Sequence, residues 1–212
     1  MTVTRSDVFL YDVATREMVD AELWDSITEQ QLTDYEGEWL PELFKALQRL
    51  KRLGVQRAHW PQSRHWDWRR KTQALQGMLG NPSFSVVCKG VTQGMMFADL
   101  VSKRCRLPEQ KGRHLVYVDF VENAPWNRPE LRNPPLYRGV GTILIRAAIE
   151  LSKSEEFKGR IGLHSLPQAN AFYANTIGMT DLGQDRDYQG LRYFEMTAEH
   201  AEAFIKKGGV RP

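Results

Sequence analysis

The sequence predicts a mixed α/β fold, a central sheet of about six to seven strands flanked by helices. Three observations carry that expectation. First, Val140, Ile143, Leu144, Ala147, Ala148 and Leu151 fall at helical spacing and form one apolar stripe, the pattern of a helix lying on a sheet. Second, this helix stands between two apolar strand-like segments, Leu115 to Glu122 and Arg160 to Leu166. Strand, helix, strand in that order implies a parallel pair joined by a crossover. Third, the period shifts toward strand character in SFSVVCKGVTQGMMFADLV, which reads as two strands about a tight turn near Lys89, Gly90 and Gly94.

The other elements follow in chain order. Alternation in Asp7 to Val13 predicts an edge strand, and Ser26 with Glu29 has the form of a capping box opening a short helix. Leu40, Leu43, Phe44, Leu47 and Leu50 predict a helix that tolerates Pro41 in its first turn and stops at Gly54. A third helix is expected from about Arg64 to Leu79, before Gly80, Asn81 and Pro82. After the long helix, which Gly159 ends, a short helix is expected over Gln168 to Thr176 and strands near Met179–Leu182 and Leu191–Thr197. Thr197 caps a last helix that buries Ala201, Phe204 and Ile205, with Gly208 beyond it.

Composition excludes several classes. Among 212 residues, 42% are hydrophobic and 26% charged, which is globular and neither disordered nor collagenous. No apolar run reaches the roughly 18 residues of a membrane helix. The start, MTVTRSDVFLYDV, lacks a signal-peptide layout, and two cysteines, Cys88 and Cys105, are too few for a disulfide scaffold. Both points lead to the expectation of a cytoplasmic protein with reduced thiols. A net charge of +3 makes no strong case for nucleic acid or a membrane as partner.

The segment carrying chemistry is Tyr137-Arg138-Gly139-Val140-Gly141-Thr142, where a loop gives way to the long helix. Glycines let a ligand approach the backbone, and the amides at a helix start form an anion site. No Gly-Lys-Ser/Thr follows, so this is not a P-loop, and a dinucleotide fingerprint would need a third glycine. The segment resembles the pyrophosphate loop of the GNAT superfamily of acyl-CoA-dependent N-acetyltransferases, Gln/Arg-x-x-Gly-x-Gly/Ala. Gly139 and Gly141 match, Leu136 departs at the Gln/Arg position, and Arg138 stands where it can supply a cation. Two further segments are similar to the family's in the same order. They are Ala169-x-x-Phe172-Tyr173 with Ile177-Gly178-Met179, and Glu122-Asn123-Ala124-Pro125, the latter followed by an unusually long insertion, Trp126 to Pro135. The resemblance covers residues 84–197. It implies one domain over 1–212, an acetyl-CoA-binding core over 84–197, and a helical N-terminal elaboration over 1–82 packed on that core.

The resemblance further implies a sheet splayed between its fourth and fifth strands, here Leu115–Glu122 and Arg160–Leu166. Acetyl-CoA is then the co-substrate and no metal is called for. The pantetheine arm would pair near Val121 and Asn123. The pyrophosphate would sit on Arg138, Gly139, Val140, Gly141 and Thr142, and Asn170 joins the cofactor-binding set. Tyr173 matches the tyrosine that reaches the CoA sulfur. The acceptor would be a small-molecule or peptide amine, and a homodimer is left open. A primary amine with a pKa of about 10.4 is neutral in only about one molecule in 2,500 at pH 7, so a base matters. Glu122, Asp119 and His164 are the candidates, with Glu122 preferred near its strand's end. In a regular strand Asp119 and Glu122 have opposite parity, so only one of the two carboxylates faces the cleft. No Ser-His or Cys-His arrangement argues for a covalent route. Two rival readings are a catalytically inactive CoA-binding sensor or assembly module, which Leu136 favours, and an acetyltransferase for a protein or charged tRNA. The basic turn Lys103, Arg104, Arg106, Lys111 and Arg113 allows the second. His59, Trp60, His65, Trp66 and Trp68 form an aromatic cluster without metal-ligand spacing; it reads as core or as substrate wall.

Overall fold

The computed structural model describes residues 3–208. Near the N-terminus, Arg5–Asp12 (β1) and Glu17–Trp24 (β2) form an antiparallel hairpin. The Asp12 carboxylate accepts the amides of Ala14 and Thr15, at 3.0 and 3.3 Å, and so shapes the turn between them. Glu29–Asp34 (α1) is capped by Thr28, which with Gln31 forms the capping box. The expected cap at Ser26 is two residues early, and the Ser26 hydroxyl is buried without a partner among the described residues. Leu40–Arg52 (α2) follows one π-helical turn and carries Pro41 in its first turn. The third helix is shorter than expected, Trp68–Leu75 (α3), because Asp67 caps it through the Arg70 amide. The first 82 residues are therefore not a purely helical elaboration, because Arg5–Asp12 and Glu17–Trp24 are strands of the sheet.

Ser83–Cys88 (β3) and Val91–Asp99 (β4) form the expected hairpin, turned by Lys89 and Gly90, both at positive φ. Val116–Asn123 (β5) leads through the insertion to the two-residue strand Tyr137–Arg138 (β6) and then to Val140–Ser154 (α4). Ile161–Ser165 (β7), Thr180–Asp185 (β8), Leu191–Met196 (β9) and Ala198–Lys206 (α5) complete the chain, with Thr197 capping α5 through the His200 amide. The region expected as a helix over 168–176 is a 3₁₀ turn followed by a π-helical turn, Phe172–Ile177.

All nine strands lie in one sheet, in the order β6-β1-β2-β3-β4-β5-β7-β9-β8. The count exceeds the expected six to seven because β2 and β6 were not foreseen. β2 follows β1 after a four-residue turn, and β6 exists only by pairing with β1. Only β5 and β7 are parallel, through Val116↔Ile161, Tyr117↔Gly162 and Val118↔Leu163, after which the two strands part. On its other side β5 pairs with β4 through a bulge. Phe97 faces Phe120 and Ala98 faces Val118, so Asp119 is the extra residue.

The bulge sets what each sheet face carries. Met96, Ala98, Val118 and Val121 pack with α4, whose Leu144, Ile145, Ala148 and Ile149 are wholly buried. Met95, Phe97 and Phe120 pack on the opposite face with Trp39 and Trp68 from the N-terminal helices. Trp39 donates its indole N–H to the Thr92 carbonyl at 2.9 Å, which ties α2 to β4. Gly94 lets α4 approach β4 closely. A Cβ there would lie 2.5 Å from Val140 Cγ1 and 3.0 Å from Leu144 Cδ1. Gly94→Val is expected to cost about 1–3 kcal/mol by overpacking, read as a lower urea midpoint; an unchanged midpoint would show that α4 shifts without cost.

Candidate functional site

Where β5 and β7 part, the sheet opens into a cleft of about 1240 Å³. This is larger than the ~300–1,000 Å³ of most small-molecule sites and suits an extended ligand. From Phe120 to Asn123, β5 is paired on its β4 side only, so its other edge faces the cleft. Val121 and Asn123 are on the α4 face of that edge.

One end of the cleft is the start of α4. Gly139 caps the helix at φ 104°, a conformation that favours glycine. The first intrahelical donor is the Ile143 amide, to the Gly139 carbonyl, so the amides of Val140, Gly141 and Thr142 precede the ladder. A Cβ on Gly141 would lie 3.1 Å from Phe172 Cζ and 3.7 Å from Asn123 Nδ2, so the missing side chain keeps this corner open. Leu136, at the Gln/Arg position of the resembling loop, packs its side chain against the core. Arg138 instead lines the cleft, together with Arg146 one helical turn beyond Thr142 and Lys207 after α5. The helix start thus presents oriented amides outside the ladder, and three cations line the same cleft.

Tyr173 reaches the cleft from the turn after β7. Its ring is buried against Phe172 and Phe194, with centroids 5.2 and 5.9 Å away. Its hydroxyl makes no hydrogen bond among the described residues, and burial raises its pKa, so the proton stays on oxygen. Asn170 lies off the cleft wall, with Oδ1 buried and unpartnered among the described residues.

The three candidate bases differ in freedom. Glu122 is buried on the face opposite α4. Its Oε2 accepts the Trp68 indole N–H at 2.7 Å and its Oε1 accepts from Arg128 Nη1 at 2.9 Å. Arg128 in turn holds Glu130 at 2.9 Å. Burial still pushes the Glu122 carboxyl above its ordinary range, against the pull of Arg128. Asp119 projects from the bulge and is solvent-exposed; the cleft walls raise it, with Lys71 pulling the other way. Both carboxylates line the cleft. The expectation that parity admits only one of them fails because Asp119 is itself the bulged residue and so stands outside the strand's regular alternation. His164, the first β7 residue beyond the last parallel rung, has both ring nitrogens engaged. Nδ1 is 2.8 Å from the Tyr117 hydroxyl and Nε2 is 2.9 Å from Asp185 Oδ2. Burial lowers its pKa, with Asp185 opposing. Hydrogen bonds from Arg106 and His164 hold Asp185 down to about 2.

Of the aromatic cluster, His65 and Trp66 line the cleft, and Trp66 meets Phe120 edge-on with centroids 5.4 Å apart. Lys71 Nζ lies 3.2 Å from the Phe120 ring centre. The sequence reading missed Tyr117, Arg128, Arg146, Asp185 and Tyr188. Arg146 alone had a local signal, four residues after Thr142; the others join the site only through tertiary contacts. The two thiols are buried and raised, Cys105 to about 11, so neither is a ready nucleophile. Among the described residues no group of three or more His, Cys, Asp or Glu is placed to hold a metal, and no helix is long and apolar enough to cross a membrane.

A scan of protein-family models gives no match, and neither does a search of curated proteins. Solved structures are similar in fold. Mycobacterium smegmatis RimJ, in complex with CoA-disulfide, is 14% identical over 97% of this chain and 95% of its own, with a TM-score of 0.53. The GNAT domain of S. lividans PAT is 13% identical over 91% and 96%, with a TM-score of 0.51. An uncharacterized protein of Bacillus halodurans is 9% identical over 95% of both chains, with a TM-score of 0.52. At such identities the likeness concerns the fold, and this chain has the fold of the GNAT superfamily.

The two cleft carboxylates differ in what they support. Glu122→Ala leaves the Trp68 N–H unpaired and a buried guanidinium with Glu130 alone, and is expected to cost about 3 kcal/mol. Asp119→Asn, at an exposed position, is expected to stay within about 0.5 kcal/mol. Urea unfolding of both variants checks this; equal losses would place Asp119 in the same buried network.

Proposed function

We propose that this GNAT-fold protein moves an acetyl group from acetyl-CoA to a primary amine, by direct attack in a ternary complex. The observation that carries the reading is the parted β5–β7 pair, with a glycine-opened helix start at one end of the gap and the Tyr173 hydroxyl on its wall. The pyrophosphate is held by the amides of Val140, Gly141 and Thr142, with Gly139 turning the chain and Arg138 and Arg146 adding charge. The pantetheine arm adds to the open edge of β5 near Val121 and Asn123, as an extra strand would. Residues 84–197 supply this half of the site. The segment 62–66 and Phe120 supply the acceptor wall, so the N-terminal part belongs to the same domain.

The amine nitrogen attacks the thioester carbon, the C–S bond breaks, and the thiolate leaves. A CoA thiolate resembles a cysteine side chain with a pKa of about 8.5, so it leaves tolerably well unaided. Tyr173 keeps its proton until negative charge develops on sulfur, and can then give or share it. On the acceptor side Asp119 attracts the substrate ammonium, while Glu122 is committed to Trp68 and Arg128. The reading as an inactive binding module finds support in Leu136, which serves the core. Arg138, Arg146 and the unengaged Tyr173 hydroxyl support catalysis. Within the basic turn, Lys103 is hydrogen-bonded to Tyr188 and Arg106 to Asp185, which leaves less of it for a nucleic-acid partner.

An acetyl-CoA-dependent thiol-release screen over amines, peptides and tRNA tests the reaction and its acceptor class. Gly141→Asp is expected to weaken acetyl-CoA binding at least about tenfold, or about 1.4 kcal/mol, by setting a carboxylate where phosphate must lie. Unchanged affinity in the folded variant, by calorimetry, would move the phosphate site elsewhere. Tyr173→Phe is expected to lower turnover about tenfold to a thousandfold, with acetyl-CoA affinity nearly unchanged because the ring remains. Full turnover at several pH values would make Tyr173 a packing residue only.

A further inference from the structure

We propose that His164, acting through the Tyr117 hydroxyl and held by Asp185, takes the proton that the attacking amine releases. This rests on the acetyl-transfer reading and names the base for it. The three side chains come from β7, β5 and β8 and meet where the parallel pairing stops. Tyr117 is on the last rung but one, and His164 is the first residue past the last. Both line the cleft.

The direction of the hydrogen bonds follows from chemistry. Asp185 is ionised at any physiological pH and only accepts. His164 Nε2, 2.9 Å away, therefore carries a hydrogen and donates it. Burial keeps the imidazole neutral at pH 7, so Nδ1 is unprotonated. The Tyr117 hydroxyl, 2.8 Å from Nδ1, must then donate to it. With its hydrogen so committed, the Tyr117 oxygen offers the cleft only lone pairs, the right polarity for an N–H of the acceptor. The imidazole cannot swing away: Tyr188 stacks on it at 3.8 Å and 6°, and Tyr193 lies 4.9 Å off on the next strand.

The step balances without any further reagent. The nitrogen attacks the thioester carbon and becomes positively charged and acidic. Its proton passes to the Tyr117 oxygen as the Tyr117 proton passes to His164 Nδ1. The C–S bond breaks, and the thiolate takes or shares the Tyr173 proton. The imidazolium, paired with Asp185, later loses its proton to solvent, and Tyr173 regains one. Tyr117 stays a phenol between turnovers because burial raises its pKa, so it conducts the proton and does not store charge. Neither rival base offers this path. Glu122 has both oxygens engaged by other side chains, and Asp119 is exposed to water.

The charged and titratable groups facing His164 are Tyr117, Asp185, Tyr188 and Tyr193, with Arg106 and Lys103 from the loop between β4 and β5. Arg106 and Lys103 disfavour the imidazolium and Asp185 favours it, so activity is expected to persist below the usual histidine pKa before falling. The test takes the best amine from the thiol-release screen and compares Tyr117→Phe, His164→Gln and the double variant from pH 6 to 9. Each single variant is expected to lose about a hundredfold in kcat at pH 7, within the usual range of general acid–base help. Acetyl-CoA affinity should not change. The loss should shrink toward pH 9, where hydroxide can take the proton that the relay takes at pH 7, and the double variant should be no worse than either single. Losses that multiply, or that do not change with pH, would overturn the relay while leaving acetyl transfer intact. A wild-type chain that releases no thiol with any acceptor would instead sink the transfer reading. A ¹⁵N-histidine spectrum of the full chain tests the relay without an acceptor. The expected species at pH 7 is neutral His164 with hydrogen on Nε2; hydrogen on Nδ1 would overturn the proposal.

Discussion

The constraint on which the rest depends is the length of one strand pairing. β5 and β7 share only three parallel rungs, ending at Val118↔Leu163. A sheet interior normally satisfies every backbone donor and acceptor by its neighbours, and an open edge inside a domain is costly unless something fills it. Here the edge from Phe120 to Asn123 is left open at the centre of a nine-stranded sheet. That edge faces the cleft along the length of the gap.

The bulge at Asp119 adds a second consequence. It turns the strand so that Val118 and Val121 face α4, while Phe120 and Glu122 face the N-terminal helices. Each side of the gap thus receives a different chemistry. The α4 side carries oriented amides, glycines and cations, suited to a polyanion. The other side carries Trp66, Phe120, Asp119 and the Glu122–Arg128–Glu130 network, suited to an amine. A single inserted residue thus gives the two sides of the gap different side chains.

Buried polar networks hold these surfaces in place. Glu195, wholly buried, accepts from the amides of Arg106 and Leu107 and from Gln110, and so pins the loop between β4 and β5. That loop carries Arg106 to Asp185 and Lys103 to Tyr188, the residues around His164. Gln93 does the same for the insertion, accepting from Trp126 and Asn127. Asn127 accepts the Tyr137 amide, two residues ahead of Gly139. The long insertion therefore acts as a brace for the anion site, because every buried polar atom in it must find a partner.

The sequence by itself determined whatever depends on local periodicity and local backbone freedom. The α4 stripe, the β3–β4 hairpin turned at Lys89 and Gly90, the strands on either side of the crossover and the Gly139–Gly141 turn were all legible, because each element is encoded in its own short run of residues. The resemblance carried by Gly139, Gly141, Phe172 and Tyr173 matched the superfamily fold that the structure has. Only the tertiary structure decided the rest. β6 has two residues and exists only by pairing with β1. The bulge at Asp119 is a mismatch between strands, so neither strand alone could reveal it. Glu122 stood as the preferred base until Trp68, 54 residues away, and Arg128, from the insertion six residues on, closed on it. His164 stands 47 residues from Tyr117 and 21 from Asp185 along the chain. Their contact depends on the order of strands across the sheet, which no local pattern carries.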